Sequence, residues 1–131
     1  MSTSRRIFII EDHDWVREAL TQLLDLQPTL TVCGSAATAA DALEALPCSA
    51  DVVLVDIGLA DRSGLELIPI IKDRWPHLRT IVLSHHPASL LRKPAMHAGC
   101  YAYVEKGNAA ELLNAIGSPL ASEEPLAEVD A

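Results

Sequence analysis

Asp51-Val52-Val53-Leu54-Val55-Asp56 decides the fold. Its four central side chains are all aliphatic and do not alternate with polar ones. That pattern describes a strand buried on both faces, as in a parallel sheet covered by helices. Asp56 then stands at the carboxyl end of the strand, where open α/β sheets place their chemistry. Three similar runs flank this one. Arg6-Ile7-Phe8-Ile9-Ile10 leads into Glu11-Asp12, Thr80-Ile81-Val82-Leu83 into Ser84, and Tyr103-Val104-Glu105 into Lys106.

Between the strands the apolar period changes. Val16, Leu20, Leu23 and Leu24 share one helical face, predicting a helix over residues 14–26 that Pro28 closes. A short strand follows at 30–33. Thr38 or Asp41 caps a helix running to Leu46, which Pro47 ends. The third strand is 52–55. A helix over 64–75 carries Pro69 as an expected kink and ends at Pro76. Strands at 80–83 and 102–104 follow, then a helix over 108–116 with Gly117 as its C-cap and Pro119 as a stop. Strands alternating with helices predict an α/β fold: a doubly wound, five-stranded parallel sheet with helices on both faces. The segment between the last two strands is the exception. Pro87 and Pro94 bracket residues 88–93, and an interior proline costs a helix roughly 3 kcal/mol. The fourth helix is therefore expected to be short, kinked or mobile.

At 131 residues the chain suits one domain with a single core. The predicted domain spans 5–117, and the acidic stretch 118–131 reads as a disordered tail. A net charge of −8 disfavours binding nucleic acid or an anionic membrane through the overall field. Most acidic residues read as a solvated surface. Cys33, Cys48 and Cys100 are odd in number and widely spaced, which suits reduced thiols of a cytoplasmic protein. The first residues carry no signal-peptide pattern, and no apolar run reaches the roughly 18 residues of a transmembrane helix.

The strand-end residues form a chemical set. Asp56 is a nucleophile for phosphorus, given a cation to offset charge. Mg2+ prefers carboxylate oxygens, which Asp12 and Asp56 supply, with Glu11 acting directly or through water. Lys106 offers a point charge to phosphoryl oxygens, and Ser84 a hydroxyl. Each residue alone has a plainer reading. Asp12 and Asp14 suit a helix cap, Asp56 a turn before Gly58, Ser84 a strand end, Lys106 a surface. Their joint occurrence at four strand ends favours the phosphoryl-transfer set.

The stretches Ile9-Ile10-Glu11-Asp12-His13, Val53-Leu54-Val55-Asp56, Asp61-Arg62-Ser63-Gly64-Leu65-Glu66-Leu67, Val82-Leu83-Ser84 and 98–106 together resemble the receiver domain of two-component response regulators. Glu11-Asp12-His13 and Val16-Arg17-Glu18-Ala19-Leu20 give the resemblance a NarL/LuxR-type character. It implies the flavodoxin-like strand order 2-1-3-4-5 and Asp56 as phosphoacceptor. It implies Mg2+ on Asp12, Asp56 and the Gly58 carbonyl with support from Glu11, Lys106 on the phosphoryl group, and a switch pair of Ser84 and Tyr103. His86, two residues after Ser84, occupies a position that tunes dephosphorylation in such proteins. The implied partners are a sensor histidine kinase or histidine phosphotransfer protein and a downstream protein target, with no direct nucleic acid or membrane contact and a homodimer as an option. Trp15 is an exposed anchor or a packing residue on the helix that meets the kinase. A metal role for His13 lacks the usual ligand spacing. His77 and His97 read as surface residues. Three departures stand out: Ala60 replaces a common proline, Ala102 a common glycine, and prolines interrupt the fourth helix.

Other classes fit less well. An aspartyl phosphatase of the haloalkanoate-dehalogenase type needs a second acid where Gly58 stands. A flavodoxin-like cofactor binder needs a phosphate loop where Glu11-Asp12-His13-Asp14 would repel one. The chain is thus expected to be a signalling module with self-phosphorylation and dephosphorylation chemistry, not an enzyme. A receiver that is never phosphorylated, and the receiver half of a DNA-binding regulator, remain as alternatives.

Overall fold

A computed structural model describes residues 5–118. Five strands, β1 (Arg5–Ile10), β2 (Leu30–Ala36), β3 (Val52–Asp56), β4 (Arg79–Ser84) and β5 (Ala102–Glu105), form one sheet in the order β2-β1-β3-β4-β5. Every neighbouring pair is parallel. The connecting helices are α1 (Asp14–Asp25), α2 (Ala39–Ala45), α3 (Gly64–Arg74), α4 (Ala88–Ala98) and α5 (Ala109–Gly117). The flavodoxin-like architecture expected from the pattern is the one observed.

The uninterrupted aliphatic runs follow from two-sided burial. Ile7, Ile9, Val52, Leu54, Ile81 and Leu83 pack with Leu24 of α1 and Leu112 and Ile116 of α5. The alternate residues Phe8, Ile10, Val53 and Val55 pack with Ala39 and Ala42 of α2 and Leu67 and Ile71 of α3. Val82 and Tyr103 meet Ile68 of α3 and Ala95 of α4. The register then aligns the strand ends: Ile10 lies beside Val55, Asp56 beside Leu83, and Ser84 beside Glu105. Residues just beyond those ends are forced onto one edge.

Several helix termini are set locally. Thr38 accepts a hydrogen bond from the Asp41 N–H, Ser63 from the Leu65 N–H and Asn108 from the Glu111 N–H. These side chains satisfy donors that a helix leaves unpaired at its start. Gly64 opens α3 at a point where any Cβ would run into the carbonyl of Asp56, so only glycine fits.

The fourth helix is not short, which corrects that part of the expectation. It runs unbroken for 11 residues, with Pro87 as N-cap and Pro94 inside. Proline has no N–H to lose at the start of a helix, so Pro87 favours the beginning rather than a break. Pro94 faces solvent, while Ala95 packs into the core. Packing of this apolar face outweighs the missing bond. Gly99, with φ of 112°, closes the helix in the left-handed conformation. Gly117 is the last residue of α5 rather than its C-cap, a place taken by Ser118. The Ser118 carbonyl accepts bonds from Arg5 and Arg79, so this residue belongs to the folded unit. The remainder of the expected acidic tail, residues 119–131, lies outside the described residues.

Replacing Pro94 with alanine restores one backbone donor in an exposed helical position. Pro94→Ala is expected to stabilise the fold by about 1–3 kcal/mol, read by chemical denaturation. No gain would mean that the local backbone does not register the missing bond.

Candidate functional site

The carboxyl edge of the sheet gathers Glu11, Asp12, Asp56, Ser84 and Lys106. Asp56 is only 6% exposed and Glu11 only 1%. Lys106 Nζ sits between them, 2.7 Å from Glu11 Oε1 and 3.4 Å from Asp56 Oδ1. Its backbone is anchored by a bond from the Lys106 N–H to the Ser84 carbonyl. The Gly58 N–H donates to Asp56 Oδ1 at 3.1 Å. Loop, strand and lysine thus converge on one carboxylate.

The two buried acids share the charge unequally. Burial pushes the Glu11 carboxyl up, but hydrogen bonds from Lys106 and from the His13 backbone outweigh it and hold the group at about 2. Burial also raises Asp56, where the Gly58 N–H opposes the shift and the adjacent Glu11 charge reinforces it. The closer ammonium contact and the two His13 bonds favour charge on Glu11, so Lys106 serves Glu11 first.

Asp12 is not the helix cap that its position permits. His13 is the N-cap residue of α1 and makes no side-chain capping bond, while Asp14 pairs with Arg17 at 2.6 Å. Instead Asp12 Oδ1 is buried without a hydrogen-bond partner. It lies 3.1 Å from His13 Nδ1, but that ring nitrogen directs its bond to Glu11 Oε2, also at 3.1 Å. A buried carboxylate oxygen with no donor is costly unless a cation serves it. Oxygens of Glu11, Asp12 and Asp56 and a ring nitrogen of His13 lie within 4.8 Å of one another. That donor set fits a divalent cation such as Mg2+, with Asp12 and Asp56 as its natural carboxylates.

Ser84 is 1% exposed, and its hydroxyl meets His86. Its Oγ accepts the His86 N–H and lies 3.0 Å from His86 Nδ1. Tyr103 is 3% exposed, and its hydroxyl donates to the His86 carbonyl at 2.8 Å. One histidine therefore joins the two residues of the expected switch pair.

Two contributors are not visible as site residues in sequence, Asp61 and Glu105, and a third, His13, is discounted there on ligand spacing. Asp61 accepts the Ala39 and Ala40 N–H groups at the start of α2, which ties down the loop that lacks proline at Ala60. Glu105 accepts the Ala88 N–H and so caps α4 from β5. His13 reaches the acid cluster because the chain turns sharply after β1, a contact that spacing rules for metal ligands do not capture. His77 and His97 are exposed, as expected.

The pKa shifts set opposite trends with pH. The lowered Glu11 group contributes stability above its ordinary value of 4.5, which is lost as pH falls towards about 2. The raised Asp56 group favours its protonated form in the fold, so its charge destabilises the protein once pH exceeds its folded pKa. In EDTA at neutral pH, Asp56→Asn is therefore expected to melt above wild type and Glu11→Gln below it, the latter by about 2 kcal/mol. Equal melting of all three proteins would show that this charge distribution carries no stability.

Comparisons with known proteins bear on the geometry. Residues 7–117 match the family model of the response regulator receiver domain. The DNA-binding transcriptional activator DevR/DosR of Mycobacterium tuberculosis is 34% identical over 102 residues, covering 77% of this chain and 47% of that protein. The transcriptional regulatory protein UhpA of Salmonella typhimurium is 36% identical over 101 residues, covering 76% and 50%. The chain thus spans about half the length of these relatives. A LuxR-family two-component response regulator from Aurantimonas shares the structure with a TM-score of 0.83 at 30% identity, over 93% of this chain and 89% of that one. A CheY-like receiver from Methanospirillum hungatei, at 24% identity and a TM-score of 0.79 over 98% of this chain and 100% of that one, shares the fold. Among the described residues no helix is long and apolar enough to cross a membrane. The aligned carboxyl edge, the strand order and these matches lead to one conclusion: the chain belongs to the response regulator receiver family of two-component systems, with relatives of NarL/LuxR type.

Proposed function

We propose that the chain is a phosphoacceptor module of a cytoplasmic phosphorelay. An Asp56 carboxylate oxygen attacks the phosphorus of a phosphohistidine on a sensor kinase or phosphotransfer protein. The P–N bond breaks, its electron pair leaves with the imidazole, and an aspartyl phosphate forms. The observation that carries this reading is the buried Asp56 carboxylate, flanked by Lys106 at 3.4 Å and by the unpartnered oxygen of Asp12. A bound Mg2+ would offset repulsion between the carboxylate and the incoming phosphoryl group. Asp12, Asp56, the Gly58 carbonyl and Glu11 are the residues to hold it. Lys106 supplies a second positive charge from the β5 side and neutralises phosphoryl oxygens as they approach.

The switch follows from the hydrogen bonds of Ser84. A phosphoryl group brings about −1.5 to −2 charge and strong acceptor oxygens. Donation to them competes with the Ser84 Oγ contact to His86 Nδ1, and the His86 carbonyl also holds Tyr103. Movement at Ser84 is thereby passed to the start of α4 and to β5, where Glu105 caps Ala88. In this reading His86 sets both the cost of switching and the lifetime of the phosphorylated form. Trp15, 75% exposed on α1, stands at an apolar groove with Leu20, Leu23 and Leu112, close to Lys106. That surface suits a kinase or phosphotransfer partner; the α4–β5 side suits a downstream protein or a second copy.

A second reading concerns context. The relatives matched are named as transcriptional regulators about twice as long as this chain. The same phosphoacceptor could therefore serve as the receiver half of a DNA-binding regulator, with nucleic acid contacted outside this chain.

Incubation with acetyl phosphate and Mg2+, followed by intact-mass analysis, tests the proposal. Wild type is expected to gain one phosphoryl group, about 80 Da, in a reaction that needs Mg2+ and fails in Asp56→Asn. Absence of the gain with both acetyl phosphate and a cognate phosphodonor protein would leave a module that binds without accepting phosphate.

A further inference from the structure

The cation pocket has one donor that a site built only for Mg2+ does not need. His13 Nδ1 lies 3.1 Å from Glu11 Oε2 and 3.1 Å from Asp12 Oδ1. Only one of the two contacts has hydrogen-bond geometry. The observed bond goes to Glu11 and leaves Asp12 Oδ1 without a partner. A cation among these atoms would satisfy the orphaned oxygen and would face the imidazole nitrogen as well.

The spacing suits ligation. The four donor atoms fall within 4.8 Å of one another. Donors at about 2.1 Å from one ion span at most about 4.2 Å across it. The widest pair therefore needs to close by at least about 0.6 Å, a shift that side-chain rotation can supply. The His13 side chain is 58% exposed, so only its bond to Glu11 has to be exchanged for the ion. To ligate, the ring carries its proton on Nε2, which that exposure leaves accessible to water.

Ligand chemistry then sets selectivity. Mg2+ takes oxygen ligands and keeps its waters, so it gains little from an imidazole. Co2+ and Ni2+ accept imidazole readily and bind mixed nitrogen and oxygen sites more tightly. Resting on the cation site of the proposed function, we propose that His13 is a ligand of this pocket. It gives the pocket a preference for nitrogen-accepting divalent transition ions that Glu11, Asp12 and Asp56 alone would lack. The competing role is purely positional: His13 would orient Glu11 by hydrogen bonding and never touch the ion.

Co2+ titration followed by visible absorption, with Mg2+ as competitor, separates the two. Only Co2+ that Mg2+ displaces is counted, which removes binding at His85, His86 and other exposed histidines. His13→Ala removes the ring. His13→Asn keeps a favoured N-cap residue at the start of α1 and guards against a folding defect. Both variants are expected to lose at least tenfold in Co2+ affinity while Mg2+ affinity, read by Trp15 fluorescence, changes less than threefold. The Co2+ absorption band should also move towards that of an all-oxygen site. Equal losses for both ions would show a positioning role and overturn the proposal, as would unchanged Co2+ affinity. If Mg2+ neither binds wild type nor displaces Co2+, and Asp12→Ala changes nothing, the pocket is not a cation site and the proposed function loses its metal as well.

Discussion

Lys106 holds together an edge that would otherwise be electrostatically unstable. Glu11 and Asp56 are both nearly inaccessible to water, and the strand register leaves them side by side. Two buried like charges cannot persist without a counter-charge. The ammonium at 2.7 Å from Glu11 supplies it for one acid and, at 3.4 Å, only partly for the other. Asp56 is left as the group with charge to spare. This uneven sharing leaves Asp56 the less compensated of the two most deeply buried carboxylates, beside the unpartnered oxygen of Asp12.

The remaining parts of the site follow from how the sheet is built. Two-sided burial requires unbroken aliphatic strands, and parallel pairing puts all their carboxyl ends on one edge. Gly64 lets α3 begin against the Asp56 backbone, and Asp61 fixes the intervening loop to α2. On the other side, His86 ties Ser84 to Tyr103, and Glu105 ties β5 to the start of α4. With the Lys106 N–H on the Ser84 carbonyl, these contacts link the acid cluster to β5 and the start of α4.

Much of this was legible in the sequence because it rests on pattern. The run Val52 to Val55 declares a doubly buried strand, and its neighbours declare the same edge, so Glu11, Asp12, Asp56, Ser84 and Lys106 fall together on pattern alone. What escaped depends on contacts between distant segments. Glu105 caps a helix 17 residues earlier in the chain, and Asp61 caps one 22 residues earlier. No local motif announces either. The length of the fourth helix is not legible in sequence because the cost of Pro94 is local, whereas the packing of Ala95 with Ile68, Val82 and Tyr103 is tertiary. His13 was discounted because spacing rules treat ligands as points along an element, and here a turn folds the ring back over two acids.

The claim that Lys106 serves Glu11 before Asp56 can be tested directly by carbon NMR of the side-chain carboxylates across an acid titration. The account requires Glu11 to remain ionised down to about pH 2 while Asp56 titrates above an ordinary aspartate. In Lys106→Met the Glu11 value should rise sharply, since one of two adjacent buried acids must then take up a proton. An Asp56 that titrates below Glu11 in wild type would contradict the account.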